Sequence, residues 1–369
     1  MTNEDPYEVI IKKLREYPND VPLDKNGNVS EAFREYVKLF FTPEEAEIVQ
    51  HLEVKPLRLR EISKRLGKDR AETKKIMEEL TDKALIQDIG GFSHYLTIAH
   101  FLNIGLKSSK MSERLGKKAA KLYQKFFVEE KFYKRYESSD AGTSFTRVIP
   151  VEKALDYHSE IKDAEEMHRL IDNAMDPIVT TPCPCRGRTD LLEIRECKGK
   201  FPIEDSCLQL GPFGKYFLDR GEGRELTKEE AHEHVDRMAK LGLIFATENV
   251  EHPQQHMIIC ACCECCCSVM RGMTRFEDKN MFNTNKSNNI AVVNQNSCEG
   301  CGLCAKRCIF KAVTLEDEKA NVDPEKCYGC GVCAVTCPTS AIKLHREERS
   351  EIPVHYKELT VKIYQENRK

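Results

Sequence analysis

The first periodicity along the chain is helical. Phe33, Val37 and Phe40 recur at the spacing of a helix with one buried face. Thr42-Pro43-Glu44-Glu45 then reads as a helix start: a hydroxyl to cap free amides, a proline where no amide hydrogen is needed, and acids at the positive end of the dipole. Ile48, Val49 and Leu52 give that helix its apolar stripe. Leu59, Ile62 and Leu66 give the stripe of a second helix ending at Gly67, and Ile76, Met77 and Leu80 that of a third opening after Asp69. The period then drops to two: residues 85–98 spell two short strands about Gly90-Gly91. Farther on, the spacing predicts a long amphipathic helix from Ser112 to Tyr136 with Leu115, Ala119, Leu122, Phe126 and Tyr133 on one face. A strand is expected at 145–150 and a helix at 163–174. The tail keeps one apolar pattern at Leu359, Val361 and Ile363.

With 369 residues the chain is longer than one core organises, so the expected fold class is multidomain α+β. The divisions expected are an adaptor segment at 1–42, a small helical domain at 43–105, a helical linker region with a basic helix at 106–175, a cysteine-rich α+β domain at 176–290, a two-cluster domain at 291–345 and a charged tail at 346–369. The helices and hairpin of 43–105 resemble a winged helix. Its recognition helix would set Arg70, Lys74 and Lys75 against Asp69, Glu72, Glu78 and Glu79, a poor charge balance for phosphates, so DNA is the weaker reading and protein docking the stronger. In the adaptor, Asp24, Asn26, Asn28 and Glu35 match calcium-loop positions, but Val29 stands where the loop needs glycine, which leaves a polar turn.

The formal charge of −3 gives no whole-chain field for nucleic acid or an anionic membrane. One stretch departs from that balance: residues 107–136 hold ten Lys or Arg and three Glu, either a solvated face or a landing strip for an acidic redox partner or for phosphates. No run of apolar residues is long enough to span a membrane and the first residues lack a signal-peptide core, so the expected location is cytoplasmic.

Eighteen cysteines change the picture, and all of them lie between Cys183 and Cys337. In a reducing compartment such clustering points to metal thiolates rather than disulfides. Residues 298–308 read CEGCGLCAKRC and residues 327–338 read CYGCGVCAVTCP, so C-x2-C-x2-C-x3-C occurs twice, 29 residues apart. The Ala312-Val313-Thr314-Leu315 and Ala341-Ile342-Lys343-Leu344 stretches extend the duplication. Three close thiolates on a glycine-containing loop hold three irons of a cubane, and the fourth cysteine crosses to the other half. The assignment is Cys298, Cys301, Cys304 and Cys337 for one [4Fe-4S] cluster and Cys327, Cys330, Cys333 and Cys308 for the other. Glycines 300, 302, 329 and 331 would let backbone amides turn toward sulfur. Residues 291–345 thus resemble a bacterial-type two-cluster ferredoxin domain, with Ile309 standing where the repeat otherwise has Pro338.

Ten cysteines remain: Cys183, Cys185, Cys197, Cys207, Cys260, Cys262, Cys263, Cys265, Cys266 and Cys267. Neighbouring residues point in different directions, so Cys265, Cys266 and Cys267 cannot all face one metal. Three fillings compete: one or two further [4Fe-4S] clusters, a four-thiolate zinc site from Cys183, Cys185, Cys197 and Cys207, or a reactive thiol pair or cluster with an open iron. Arg186 and Arg188 would lower nearby thiol pKa values in each case. His252 and His256 are further ligand candidates. From Thr42 to Leu344 the order of parts is similar to anaerobe iron-sulfur proteins with a winged helix, a CxCR/CxCCxCCC domain and a dicluster ferredoxin domain, which implies redox work and no particular substrate. The leading expectation is an electron-transfer protein or oxidoreductase subunit partnered by a flavoprotein, ferredoxin or oxidoreductase subunit. An enzyme centred on the upstream cysteines, with His252, His256 and Glu264 as its nearby acid or base groups, and a redox-sensing DNA regulator are the alternatives.

Overall fold

The computed structural model describes residues 4–15, 20–107, 109–136, 138–139, 141–156, 162–268, 270–275, 284–349 and 351–367. In the N-terminal part the helices start where their capping residues stand. Thr42 accepts from the Glu45 amide while the Glu45 carboxylate takes the Thr42 amide, so two otherwise free donors are satisfied at the start of helix Pro43–Val49. Asp69 accepts from the Glu72 amide at 2.8 Å and opens helix Arg70–Asp82. Helix Leu59–Leu66 ends at Gly67, whose φ of 65° suits a residue without a Cβ. Strands Gln87–Ile89 and Ser93–Tyr95 pair antiparallel, and Leu57–Arg58 joins the outer side of the second. Ahead of them lie helices Pro6–Leu14 and Glu31–Phe40. The Asp24 carboxylate is spent on its own turn, accepting the amides of Asn26 and Asn28 at 2.8 and 2.9 Å.

One apolar core takes side chains from Ile10 to Tyr136. The helix expected over 112–136 is therefore packed there, but it is not continuous. A helix runs Ser109–Tyr123 with a break at Gly116 (φ 53°, ψ −156°), and a wider π turn Gln124–Glu129 and a 3-10 turn Phe132–Lys134 follow. Tyr123, Phe126 and Phe127 stand at i, i+3 and i+4, the spacing that puts side chains on one helix face, and all three enter the core, where Phe126 meets Phe33 at 5.3 Å and Tyr36 at 5.4 Å between ring centres.

The middle of the chain is a six-stranded antiparallel sheet in the order Thr146–Ile149, Ile244–Glu248, Ile258–Cys262, Cys207–Leu210, Ile178–Thr181, Arg224–Leu226. Helices Met167–Asn173 and Lys228–Leu241 cover one face, burying Leu170, Val235 and Met238 against Leu208, Phe245 and Ile259. Side chains alternate along a strand, so Cys260 and Cys262 point to the face away from Ile259 and Ala261. That face meets the C-terminal part: Val148, Ile244 and Ala246 share an apolar cluster with Phe310, Tyr328 and Val332.

In the C-terminal part Asn289–Val293 pairs antiparallel with Ile342–Arg346, and Val313–Glu316 with Lys319–Val322. The helices Leu303–Arg307 and Val332–Val335 begin 29 residues apart, as the sequence repeat requires. Polar ties hold this part to the sheet. Glu165, 2 % exposed, takes Arg346 at 2.8 Å and Asn288 at 3.0 Å, and Arg307 donates to the Lys240 carbonyl at 2.8 Å. The tail folds back as helix Tyr356–Glu366, burying Leu359 and Ile363 on Val250. Val361 faces outward, because a helix repeats every three to four residues rather than every two.

Candidate metal centres

The duplicated motif gathers its cysteines in the crossed sets the spacing predicts. Cys298, Cys301, Cys304 and Cys337 line one cavity of about 20 Å³, and Cys308, Cys327, Cys330 and Cys333 line another of about 20 Å³. The loops that bring them together need glycine. A Cβ on Gly300 would lie 2.0 Å from the Glu318 carbonyl oxygen, and one on Gly329, at the equivalent position, 2.1 Å from that of Asn289. Backbone amides are aimed at sulfur in both sets: Ala320 at Cys298 (3.5 Å), Ala312 at Cys308 (3.3 Å) and Gly329 at Cys327 (3.4 Å). Such donors suit an electron-rich cluster, so the residues present fit iron-sulfur groups. The sets differ in exposure. Cys301 is exposed, whereas burial pushes the Cys330 thiol up to about 12, and Tyr328 beside it stacks on Phe310 at 4.1 Å.

The ten upstream cysteines fall into two groups, one on each side of the sheet. Cys197, Cys263, Cys265 and Cys266 have sulfurs all within 4.8 Å of one another, with Cys197 to Cys266 at 3.6 Å, Cys265 to Cys266 at 3.5 Å and Cys265 to Cys263 at 3.7 Å. Metal–sulfur bonds of about 2.3 Å in a tetrahedron put sulfurs about 3.8 Å apart. Thiolates that cap separate irons of a cubane stand apart by the width of the cluster as well. The four-sulfur group therefore fits one tetrahedral ion. Cys263 is held far below the ordinary thiol range by hydrogen bonds from Cys197, Cys265 and Cys266, with the Arg186 guanidinium adding to them. Those three thiols are in turn pushed up, the burden that a bound cation would remove.

The other six close a ring. Cys183 faces Cys185 and Cys207, Cys207 faces Cys260, Cys260 faces Cys262, Cys262 lies 3.3 Å from Cys267, and Cys267 faces Cys185. The sheet register explains it. Leu208 pairs with Ile259, so Cys207 and Cys260 sit opposite each other one step on, and Cys207 is also paired with Thr181, two residues before Cys183. The ring lines a cavity of about 100 Å³. Three cations surround it. Cys207 is held well below the usual range, first by the Cys183 and Cys260 thiols and then by Lys107 and Arg186; Cys185 is held down by Cys183 and Cys267, with Arg188 adding to it. Lys107 is buried, its Nζ 3.4 Å from Thr181 Oγ1. Burial alone would pull its ammonium down, yet negative charge on the ring's sulfurs, Cys207 foremost, holds it above its ordinary value.

The four-thiolate set imagined from sequence, Cys183, Cys185, Cys197 and Cys207, is thus divided: three belong to the ring and Cys197 to the compact group. His256 is turned to Thr247, Nδ1 to Oγ1 2.9 Å, and burial pulls it down to about 4; His252 packs against His355, and Glu264 stands 3.9 Å from Arg275. The acid nearest the ring is one the sequence did not mark. Glu248 lines the ring's cavity, accepts the amides of Met257 (3.1 Å) and Ile258 (3.4 Å), and is raised to about 7 by burial. Its signal in sequence, a lone acid in an apolar strand ahead of a cysteine run, is too weak to single it out.

Residues 297–341 match the family model of the 4Fe-4S dicluster domain. No curated protein and no solved structure matches the chain. Among the described residues no helix is long and apolar enough to cross a membrane. The C-terminal part of this chain is therefore a ferredoxin-type domain, attached to a cysteine-rich sheet that carries a four-cysteine group with the spacing to hold a metal ion.

Proposed function

We propose that the protein is an iron-sulfur electron-transfer protein or oxidoreductase subunit whose ferredoxin-type domain serves the six-thiol ring of the middle domain. The ligand sets are Cys298, Cys301, Cys304 and Cys337 for an outer [4Fe-4S] cluster and Cys308, Cys327, Cys330 and Cys333 for an inner one. The ring of Cys183, Cys185, Cys207, Cys260, Cys262 and Cys267 takes a polynuclear iron-sulfur group. The compact group of Cys197, Cys263, Cys265 and Cys266 takes a single zinc or iron. Single-electron exchange is the chemistry that iron-sulfur groups supply when bound.

One observation carries this reading: exposure falls along a single line of contacts. Cys301 is open to solvent, the inner set is half-buried at Cys308, Cys330 and Cys333 and buried at Cys327, and Cys330, Tyr328 and Phe310 share an apolar cluster with Cys260, Cys262 and Cys267 of the ring. The chain thus exposes one end to a redox partner and leads inward from it to thiols none of which is exposed. The N-terminal module favours docking over DNA. Arg220 donates to the Thr81 carbonyl at 2.9 Å and pairs with Asp88 at 3.2 Å, and Tyr216 donates to the Ile86 carbonyl, so the end of the would-be recognition helix and the hairpin are bound to the middle domain. A redox titration followed by EPR tests the proposal. The reading predicts signals from the two ferredoxin clusters and a further iron-sulfur signal that survives Cys301→Ser; a wild-type titration with only two reducible clusters overturns it.

A further inference from the structure

Tyr123 belongs to the N-terminal core, yet its hydroxyl leaves that core. Its aromatic ring packs on Phe127 at 4.9 Å and Phe126 at 5.3 Å between centres, while the phenol oxygen lies 2.6 Å from Ser268 Oγ, 145 residues on in the chain. Ser268 follows the last cysteine of the dense run, and its Oγ lies 3.5 Å from Cys185 Sγ. Three side chains thus form a hydrogen-bonded chain from the N-terminal body to the six-thiol ring.

The direction of that chain follows from counting protons. A metal-bound cysteine is a thiolate, which accepts hydrogen bonds and donates none. The single Ser268 hydroxyl hydrogen then goes to Cys185. The short contact to Tyr123 is therefore made by the phenol hydrogen, since a phenol keeps its proton at neutral pH. A donor that itself receives a hydrogen bond is polarised and donates more strongly. The Arg188 guanidinium, 4.5 Å from the centre of the Tyr123 ring, adds positive charge over the aromatic face. Cys267 receives instead the backbone amide of Met270 at 3.4 Å, the kind of donor that the ferredoxin sulfurs have.

We propose that Tyr123 is a positioning residue for the upstream centre: through Ser268 it sets the hydrogen bond to Cys185 and so raises the reduction potential of the iron-sulfur group that the ring takes. Hydrogen bonds to sulfur stabilise the reduced, more negative form of such a group. This rests on the reading of the ring as an iron-sulfur centre and extends it: the N-terminal body, besides docking on the middle domain, tunes the centre to which the ferredoxin domain delivers electrons.

The test is an EPR-monitored redox titration of the full, anaerobically purified protein, comparing wild type, Tyr123→Phe, Ser268→Ala and the double variant. Tyr123→Phe removes one oxygen and keeps the aromatic packing, and Ser268→Ala removes the donor to sulfur. Ser268→Ala is expected to shift the reduction equilibrium of the upstream signal about tenfold toward the oxidised form, about 59 mV for a one-electron couple. Tyr123→Phe should shift it the same way by less, because Ser268 still donates. Added to Ser268→Ala, Tyr123→Phe should shift nothing further. The ferredoxin midpoints and the iron content stay at their wild-type values throughout. A purely structural tie would lower the melting temperature and leave the upstream midpoint in place. If Tyr123→Phe fails to fold, Tyr123→fluorotyrosine keeps the hydroxyl, makes it a stronger donor and should move the upstream midpoint upward. An upstream midpoint unmoved by any of these changes, or an equal shift by Tyr123→Phe with and without Ser268, overturns the proposal and leaves the ring an iron-sulfur centre. A wild type with ferredoxin signals alone overturns the reading of the ring and this inference with it.

Discussion

Cys266 and Cys267 are joined by one peptide bond and belong to different thiol clusters. Cys266 Sγ lies 3.6 Å from Cys197, while Cys267 Sγ lies 3.3 Å from Cys262 on the other side of the sheet. Cys262 and Cys263 are divided in the same way. The dense cysteine run thus stitches two sites together, with Arg186 between them, donating to the Ala261 carbonyl at 3.0 Å and facing Cys183, Cys207 and Cys263.

Removal of one sulfur from the compact group separates the two sites. Cys266→Ser is expected to lose one equivalent of zinc or iron and to lower the melting temperature, while sulfide content and EPR signals stay at wild-type values, because the ring keeps all six thiols. Metal analysis beside a thermal melt reads both. Loss of sulfide together with the metal would show that the compact group holds part of an iron-sulfur cluster.

The outer and inner ferredoxin sets differ in what their loss does. Cys301→Ser touches an exposed residue and is expected to remove up to about four irons and slow reduction by an external protein donor, leaving upstream metal content unchanged. Stopped-flow reduction by a flavoprotein or a small ferredoxin reads this. Unchanged rates would place the point of electron entry elsewhere.

Glu248 makes stability depend on pH in a stated direction. Its carboxyl titrates near 7 in the folded chain and at an ordinary 4.5 when unfolded, so across that window the folded form holds a proton the unfolded chain has released. Stability from this group is full below the lower value and is lost as pH rises through the upper one. Glu248→Gln should therefore gain on the order of 2 kcal/mol over wild type between about pH 5 and pH 8. His256, pulled down to about 4, acts in the opposite sense below neutrality and lies 3.9 Å from the Glu248 carboxylate, so the comparison is repeated in a His256→Gln background, where only Glu248 changes charge. Denaturant melts at the two pH values read the difference, and a pH-independent gap would contradict it.

The N-terminal body can be loosened without touching a thiol. Phe126→Ala empties a site shared by Phe33, Tyr36 and Tyr123 and should cost about 3–5 kcal/mol. Arg220→Ala should instead leave that core intact and make the link to the middle domain more open to proteolysis, with unchanged metal content. Limited proteolysis and calorimetry separate the two effects, and identical proteolysis of Arg220→Ala and wild type would contradict the docking role.

The parts of this architecture that local chemistry dictates were readable from sequence. Thr42, Gly67 and Asp69 mark helix ends because capping is a matter of three or four residues, and the crossed ferredoxin sets follow from a spacing repeated 29 residues on. What decides the upstream centres is long-range. Cys207 meets Cys260 only through the pairing of Leu208 with Ile259, and Cys197 joins Cys266 across 69 residues, so no local spacing distinguishes the ring from the compact group. Gly116 and the π turn after Tyr123 were hidden because the apolar stripe keeps its helical spacing on both sides of them. Lys107 looked like one more charge in a basic stretch; its burial against the ring depends on the whole fold.

Anaerobic quantification of iron, sulfide and zinc on the purified full chain tests the central claim most directly. Two ferredoxin cubanes account for about eight irons and eight sulfides. A ring filled by a polynuclear group predicts roughly twelve irons or more per chain, with sulfide rising in step, and one further zinc or iron without sulfide for the compact group. About eight irons with matching sulfide would contradict it, confining the iron-sulfur chemistry to the C-terminal domain.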